Sequence, residues 1–341
     1  YQRVLYEGLA TARRGQLHRR IGARLEAGYG TRAGEIAVQL AVHIERGWEV
    51  RQAVQAWQRA GEHAVQRNAH HEAIAAFRRG LALLATQPYS PERAQQELTL
   101  QLALGELLMS IKGIAAPEAS EAYAQAHTLC RQLGEPPELA RVLFGFYRSH
   151  VGQGRVRAAA EVSQELLALA QRQPGMGALV EGHLAVGGAA LFRGDFADAQ
   201  AHLELSWSLA NALPFSTLSL RGGFVAGVEP LLWLQLALWA LGYADQAQRR
   251  SQEALAQAQA LAHPHSLAVA QHFAAFLVRE RDELVGVLAA RRQDGHHAVA
   301  LLRALHDPAR GALDALGVGH GGAAELHHHR LSAGFGHGAE R

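Results

Sequence analysis

The sequence predicts an all-α chain folded as a stack of helical hairpins, a solenoid. Alanine and leucine dominate its 49% apolar content, and β-branched and aromatic residues are sparse, a balance that favours helix over strand. Glycine, proline and short polar clusters recur between apolar-periodic segments. A skeleton of large and small residues returns several times along the chain.

In chain order, residues 1–32 read as one or two basic amphipathic helices. Val4, Leu5, Leu9, Leu17, Ile21 and Leu25 form the expected apolar face, and Arg13, Arg14, Arg19, Arg20 and Arg24 load the other. The charged side reads as a solvated face or an interdomain contact. No aromatic interleaving or groove-reading motif accompanies it, so direct nucleic-acid binding is not expected.

The first clear hairpin is WQRAGEHAVQRNAHHEAIAAFRRGLALLA. Trp57, Ala60, Gly61 and Ala64 share one face of helix A, and Ala73, Phe77 and Gly80 share one face of helix B. Gly61, Ala73 and Gly80 are small where two helix backbones approach, and Trp57 and Phe77 fill the space beside them. This order of large and small residues is the tetratricopeptide pattern. It returns as Val186, Gly187, Ala190, Gly194, Phe196, Ala199 and Leu203, and as Leu234, Leu238, Gly242, Ala247 and Ala254. A weaker copy has Tyr147, Gly154, Ala159 and Leu166.

The helix-B alanines at 73, 159, 199 and 247 are separated by 86, 40 and 48 residues. The first gap accommodates one more divergent hairpin, centred on APEASEAYAQAHTLCRQLG. Pro117, Pro136, Pro137, Pro174 and Pro264 fall at expected loops or helix starts. Stacking buries the stripe that no hairpin can bury alone, which places a tetratricopeptide-like helical-hairpin solenoid at residues 33–277. The glycine-rich RGGFVAGVE, residues 221–229, reads as a long inter-helix loop.

Beyond residue 278 the skeleton stops. Residues 278–341 hold eight of the twenty histidines. Helices are expected near Asp282 to Arg291 and Ala298 to Leu305, with disorder from Gly317 onward. The Gly/His/Arg/Ala texture matches a shifted reading frame in GC-rich DNA. The ELHHHRL tract, with His320 and His337, reads as compositional rather than as a metal site.

His71-Glu72 begins the zinc-hydrolase signature H-E-x-x-H, but its second histidine position is Ala75. The alternative is an inter-helix turn at Asn68-Ala69-His70, with His70 and His71 near the start of helix B and Glu72 favoured by the helix N-terminus. A phosphate-binding loop ends in G-K-[ST], and the single lysine, Lys112, lies between Ile111 and Gly113. No G-x-S-x-G elbow is present. Cys130, with His127 three residues before it, reads as a buried structural thiol. Asp195 and Asp198 read as helix-capping residues. No catalytic, cofactor-binding or metal-ligating residue is assigned.

One cysteine excludes an internal disulfide and fits a reducing cytoplasm. The formal net charge of +2 implies neither a polyanion nor a membrane partner. VEPLLWLQLALWALGY is too short to span a bilayer, and no signal peptide is recognised. The chain opens inside a helical pattern, as a piece of a longer protein would.

LYEGLATARRGQLHRRIGARLEA resembles the segment that follows the ATPase and winged-helix lid in large bacterial signalling ATPases of the STAND type. AVQLAVHIERG, AGEHAVQRNAHHEAIAAFRRGLALLA, KGIAAPEASEAYAQAHTLCRQLG and LALWALGYADQAQRRSQEALAQAQALAHPHSLAVA are similar to the tetratricopeptide region downstream. The resemblance covers residues 1–277. It implies upstream nucleotide-binding domains, often with a class III adenylate/guanylate cyclase domain, in others a protein kinase or DNA-binding activator domain. The chain would then be their non-catalytic sensor arm, binding a partner protein or ligand mainly along helix-A residues. A free-standing adaptor is the alternative.

Overall fold

The structure, a computed structural model, describes residues 9–47, 50–172, 175–213, 220–221, 224–225, 227–262 and 264–290. These residues are helical apart from turns, short links and one small ladder. The helices are α1 (Thr11–Tyr29), a 3-10 helix (Gly30–Ile36), α2 (Ala37–Gly47), α3 (Val50–Gln66), α4 (His70–Ala85), α5 (Pro91–Lys112) and α6 (Pro117–Leu133). They continue as α7 (Leu139–Gly152), α8 (Val156–Arg172), α9 (Met176–Arg193), α10 (Phe196–Asn211), α11 (Glu229–Ala240), α12 (Ala244–Ala260) and α13 (Pro264–Ala290). Consecutive helices pack on one another from α1 to α4 and again from α8 to α13, as an all-α hairpin solenoid requires. The chain divides into two compact units, Tyr1–Leu108 with Glu118–Val142, and Met109–Pro117 with Leu143–Arg341.

One turn sets the register in both units. Asn68, Gly154, Gly194 and Gly242 take positive φ values of 57°, 68°, 85° and 86°. After each, the next backbone N–H reaches back to the carbonyl five residues earlier: Ala69 to Ala64, Arg155 to His150, Asp195 to Ala190 and Tyr243 to Leu238, at 2.8 to 3.0 Å. This 6→1 bond is the Schellman closure of a helix C-terminus, and it needs a left-handed residue. The helix-B alanines Ala73, Ala159, Ala199 and Ala247 come five residues after each left-handed residue and are at most 1% exposed. Gly194 and Gly242 are therefore turn residues; a methyl group on either would meet nothing within 4 Å.

In the first unit, α3 buries Ala53, Trp57, Ala60, Gly61 and Ala64, and α4 buries Ala73, Ala76, Phe77, Gly80 and Leu84. A methyl on Gly61 would lie 2.6 Å from Phe77 Cδ1 and nearer still to Cε1. One on Gly80 would lie 2.9 Å from Leu100 Cδ1 and 3.8 Å from Trp57 Cβ. At the divergent hairpin expected in the long gap, α5 and α6 meet within this unit at Gly105, where a methyl would lie 3.2 Å from Tyr123 Cε2. Of the N-terminal piece, Val4 and Leu5 lie outside the described residues; α1 is followed by the 3-10 helix, and the apolar face expected on α1 is not the buried one. His18 and Gly22 are buried, while Leu17 and Ile21 are exposed and Leu25 is half-buried.

In the second unit, a methyl on Gly187 would lie 2.7 Å from Leu203 Cγ and 3.2 Å from the Ala199 carbonyl, so α9 and α10 repeat the close approach of α3 and α4. Ser206 Oγ donates to the Val180 carbonyl at 2.7 Å across the same pair. Trp233 of α11 sits edge-on between Phe192 of α9 and Phe273 of α13, with both ring centroids at 5.6 Å. The loop expected at 221–229 contains a minimal antiparallel ladder, β1 (Leu220–Arg221) with β2 (Phe224–Val225), pairing Leu220 with Val225 and Arg221 with Phe224. Helix α13 runs unbroken to Ala290, past the expected solenoid boundary at 277 and through the separate helix expected from Asp282. The Ala298 to Leu305 helix and the tail lie outside the described residues.

Candidate functional groove

In the first unit, helices α2 and α4 flank α3 and leave a groove of about 360 Å³. Helix α2 presents Val38, Val42, Glu45 and Arg46, and α4 presents Glu72, Ala75, Ala76 and Arg79. Both sets follow the three-and-four spacing of a single helix face. Trp57 of α3 is the floor, buried in one cluster with Ala41, Ala56, Ala60 and Ala76. The small side chains of Ala75 and Ala76 hold the groove open where larger residues would fill it.

One end is closed by a polar lock. Trp57 Nε1 donates to Glu45 Oε2 at 2.7 Å, and Arg79 Nε donates to the same oxygen at 3.0 Å. Arg79 Nη2 pairs with Glu45 Oε1, completing a two-point guanidinium–carboxylate contact. The Arg79 hydrogen bond holds the Glu45 carboxyl below its ordinary pKa; partial burial opposes this, and the Trp57 hydrogen bond adds to the lowering. Glu45 in turn holds the Arg79 guanidinium more firmly protonated. Glu45 is thus a fixed anion with both oxygens occupied, ill-suited to accept a proton in catalysis. The other end is lined by Glu72, whose Oε1 accepts from Arg67 Nη2 at 2.9 Å.

The groove's residues come mostly from α2 and α4. Of the helix-A lining expected from the sequence, it contains only Trp57. Val38, Val42, Glu45 and Arg79 were not singled out by the sequence reading. Glu45 and Arg79 are 34 residues apart, and only the packing of α2 and α4 across α3 brings them together. The one local signal is the apolar periodicity of AVQLAVHIERG.

The remaining sequence candidates are placed as follows. His71 is exposed, and His70 opens α4 with its Nδ1 buried and without a partner. His63 Nδ1 accepts from Arg67 Nε at 3.2 Å. Among the described residues, no three His, Cys, Asp or Glu side chains converge as metal ligands would. Cys130 is fully buried, and burial, then the Glu138 carboxylate, push its thiol pKa up to about 12. Asp195 occupies the N-cap of α10 but makes no side-chain cap bond; its carboxylate takes Arg193 Nε at 3.0 Å instead. Asp198 lies 3.7 Å from His202 Nε2.

Two histidine pairs join neighbouring helices. His18 of α1 and His43 of α2 meet Nδ1 to Nδ1 at 2.9 Å, and so do His183 of α9 and His202 of α10. Such a bond needs one ring to donate and the other to accept, so at least one imidazole in each pair is neutral. Burial first, then the partner ring, lowers the pKa of His183; the same two causes lower that of His18, with Arg46 adding to the effect.

No family model and no curated protein matches the chain. Among solved structures it is similar to BtubC (BKLC) from P. vanneervenii, with a TM-score of 0.52 and 17% identity, over 70% of this chain and 92% of that one. The likeness is one of fold. Among the described residues no helix is long and apolar enough to cross a membrane.

Proposed function

We propose that this chain is the non-catalytic interaction and sensor arm of a multidomain signalling ATPase of the STAND type, binding a partner protein on its helical hairpins. The groove between α2 and α4 is the observation that carries this reading. It pairs an apolar floor with a carboxylate and guanidinium locked at one end, which suits an apolar side chain of a partner segment flanked by polar groups. The resemblance of residues 1–277 to the arm of such ATPases supports the wider context. Partner binding would bias the upstream nucleotide switch only if the arm bound its partner differently in the two switch states.

The groove is tested by Ala75→Trp, which fills it, and Val42→Glu, which charges its wall. Peptide arrays tiled from the proteins of the source cell are probed with the parent chain and both variants. Peptides that bind the parent and are lost by both variants support the reading. Peptides that bind all three alike, or no binding at all, refute it. The ATPase context is tested by the coding sequence upstream of Tyr1: a G-x-x-x-x-G-K-[ST] loop followed by a winged-helix pattern in frame supports it. A gene beginning with its own start codon near Tyr1 would favour a free-standing adaptor instead.

A further inference from the structure

Helix α1 turns an unusual face outward. Its seam with α2 is closed by small residues and backbone: a methyl on Gly47 would lie 2.9 Å from the Arg19 backbone nitrogen, and one on Gly15 3.7 Å from the Arg46 carbonyl. His18 and Gly22 fill the rest of that seam. Outside that seam the helix presents Leu17 and Ile21, one helical turn apart, at 37% and 42% exposure. Arg13, Arg20 and Arg24 lie beside them, each three or four residues from one of these aliphatics, and all three are exposed. Among the described residues none of the three meets a carboxylate. Helix α1 carries five arginines against one glutamate, in a chain whose formal net charge is only +2.

We propose that this face docks an acidic amphipathic helix of a partner protein, with the partner's apolar stripe on Leu17 and Ile21 and its carboxylates on Arg13, Arg20 and Arg24. The width of the apolar strip decides the occupant. Two aliphatics one turn apart make a helix–helix seam with flanking charges, in the manner of the core and edge positions of a coiled coil. An anionic bilayer calls for a broader apolar face carrying bulky residues that reach the acyl boundary. A nucleic-acid backbone would meet the arginines but leave Leu17 and Ile21 dehydrated against phosphate, with no partner for either. The charge is complementary to carboxylates, and only an amphipathic helix also satisfies the aliphatics.

The probe is a displayed library of helical peptides with one face randomised, selected against the intact chain. Enriched peptides should carry Leu or Ile at three- and four-residue spacing with Glu or Asp beside them. Leu17→Asp with Ile21→Asp should lower the affinity of a selected peptide at least about tenfold, and Arg20→Glu with Arg24→Glu should shift the selection toward basic helices. The four residues are exposed, and circular dichroism of each variant checks that the fold persists. Affinity should fall as salt rises. Enrichment of helices without acidic residues, binding unchanged in both double variants, or no enrichment overturns the proposal. So does tighter binding of duplex DNA or of phosphatidylserine vesicles that is indifferent to Leu17→Asp with Ile21→Asp. A shift of the chain alone to a dimer that both double variants abolish assigns the face to a second copy instead, which also overturns it.

Discussion

Replacing Gly61 by alanine sets two effects against each other. Alanine is the better helix former by about 1 kcal/mol. Its methyl group, however, would enter the space held by the Phe77 ring, 2.6 Å from Cδ1 and closer to Cε1. Both residues are buried in well-packed helices, so the ring has little freedom to withdraw. Overpacking of this kind costs about 1–3 kcal/mol. Phe77→Ala by itself opens a cavity worth about 3–5 kcal/mol. In the double variant the new methyl enters that cavity, the clash disappears and only the propensity gain remains. The coupling energy of the cycle therefore isolates the steric contribution, about 1–3 kcal/mol, because propensity cancels between the two backgrounds. Repeat proteins open piecewise, so global denaturation blurs the result; native-state hydrogen exchange of α3 and α4 reads it locally. Additivity of the two substitutions within about 0.5 kcal/mol would refute the reasoning. So would a Gly61→Ala variant stabilised by the full propensity gain.

Gly194→Ala should destabilise α9 and α10 by about 1–2 kcal/mol without any steric partner, because alanine is strained at φ 85° while its methyl meets open space; no loss in hydrogen-exchange protection there would count against the turn assignment. Cys130 should resist iodoacetamide in the folded chain and react once the chain is denatured, since burial pushes its thiol up to about 12; comparable rates in the two states would contradict its placement. His183 has its pKa lowered in the fold by burial and by His202, so below the ordinary histidine pKa of about 6.5 the unfolded chain takes up the proton first. Its contribution is present above that pH and lost as pH falls toward the folded value. His183→Gln should flatten the pH dependence of α9 and α10 protection as pH falls below about 6.5, and an unchanged slope would show that the pair bears no load.

The hairpin register was legible because it rests on local chemistry. A left-handed turn residue five positions before a buried alanine recurs at 68, 154, 194 and 242, and three of the four are glycine. Asn68 serves in the fourth, as asparagine tolerates that conformation. What such a reading could not separate was glycine used for packing from glycine used for turning. Gly61 and Gly187 yield their volume to Phe77 and Leu203, whereas Gly194 and Gly242 yield nothing and supply only φ. Distance along the chain was the second barrier. Glu45, Trp57 and Arg79 form the lock of the groove from three helices, and no period within any one helix connects them.

The weaker repeats show why the skeleton faded where it did. Seven residues before the left-handed turn residue, helix A carries Gly61, Tyr147, Gly187 and Gln235. Sixteen residues later, helix B carries Phe77, Ser163, Leu203 and Ser251. All eight are buried. Where helix A is small, helix B is large, and where helix A is large, helix B is serine. The seam between paired helices constrains the summed volume at this level, not which helix supplies it, as close packing requires. A small residue on helix A marks the first and third of these hairpins; the second and fourth are marked instead by the turn glycine and the helix-B alanine, Gly154 with Ala159 and Gly242 with Ala247. Helix α1 follows the same physics. Its close approach to α2 at Gly15 and Gly47 takes glycine and histidine into the seam, and Leu17 and Ile21 are left outside because the backbones are too near to admit them.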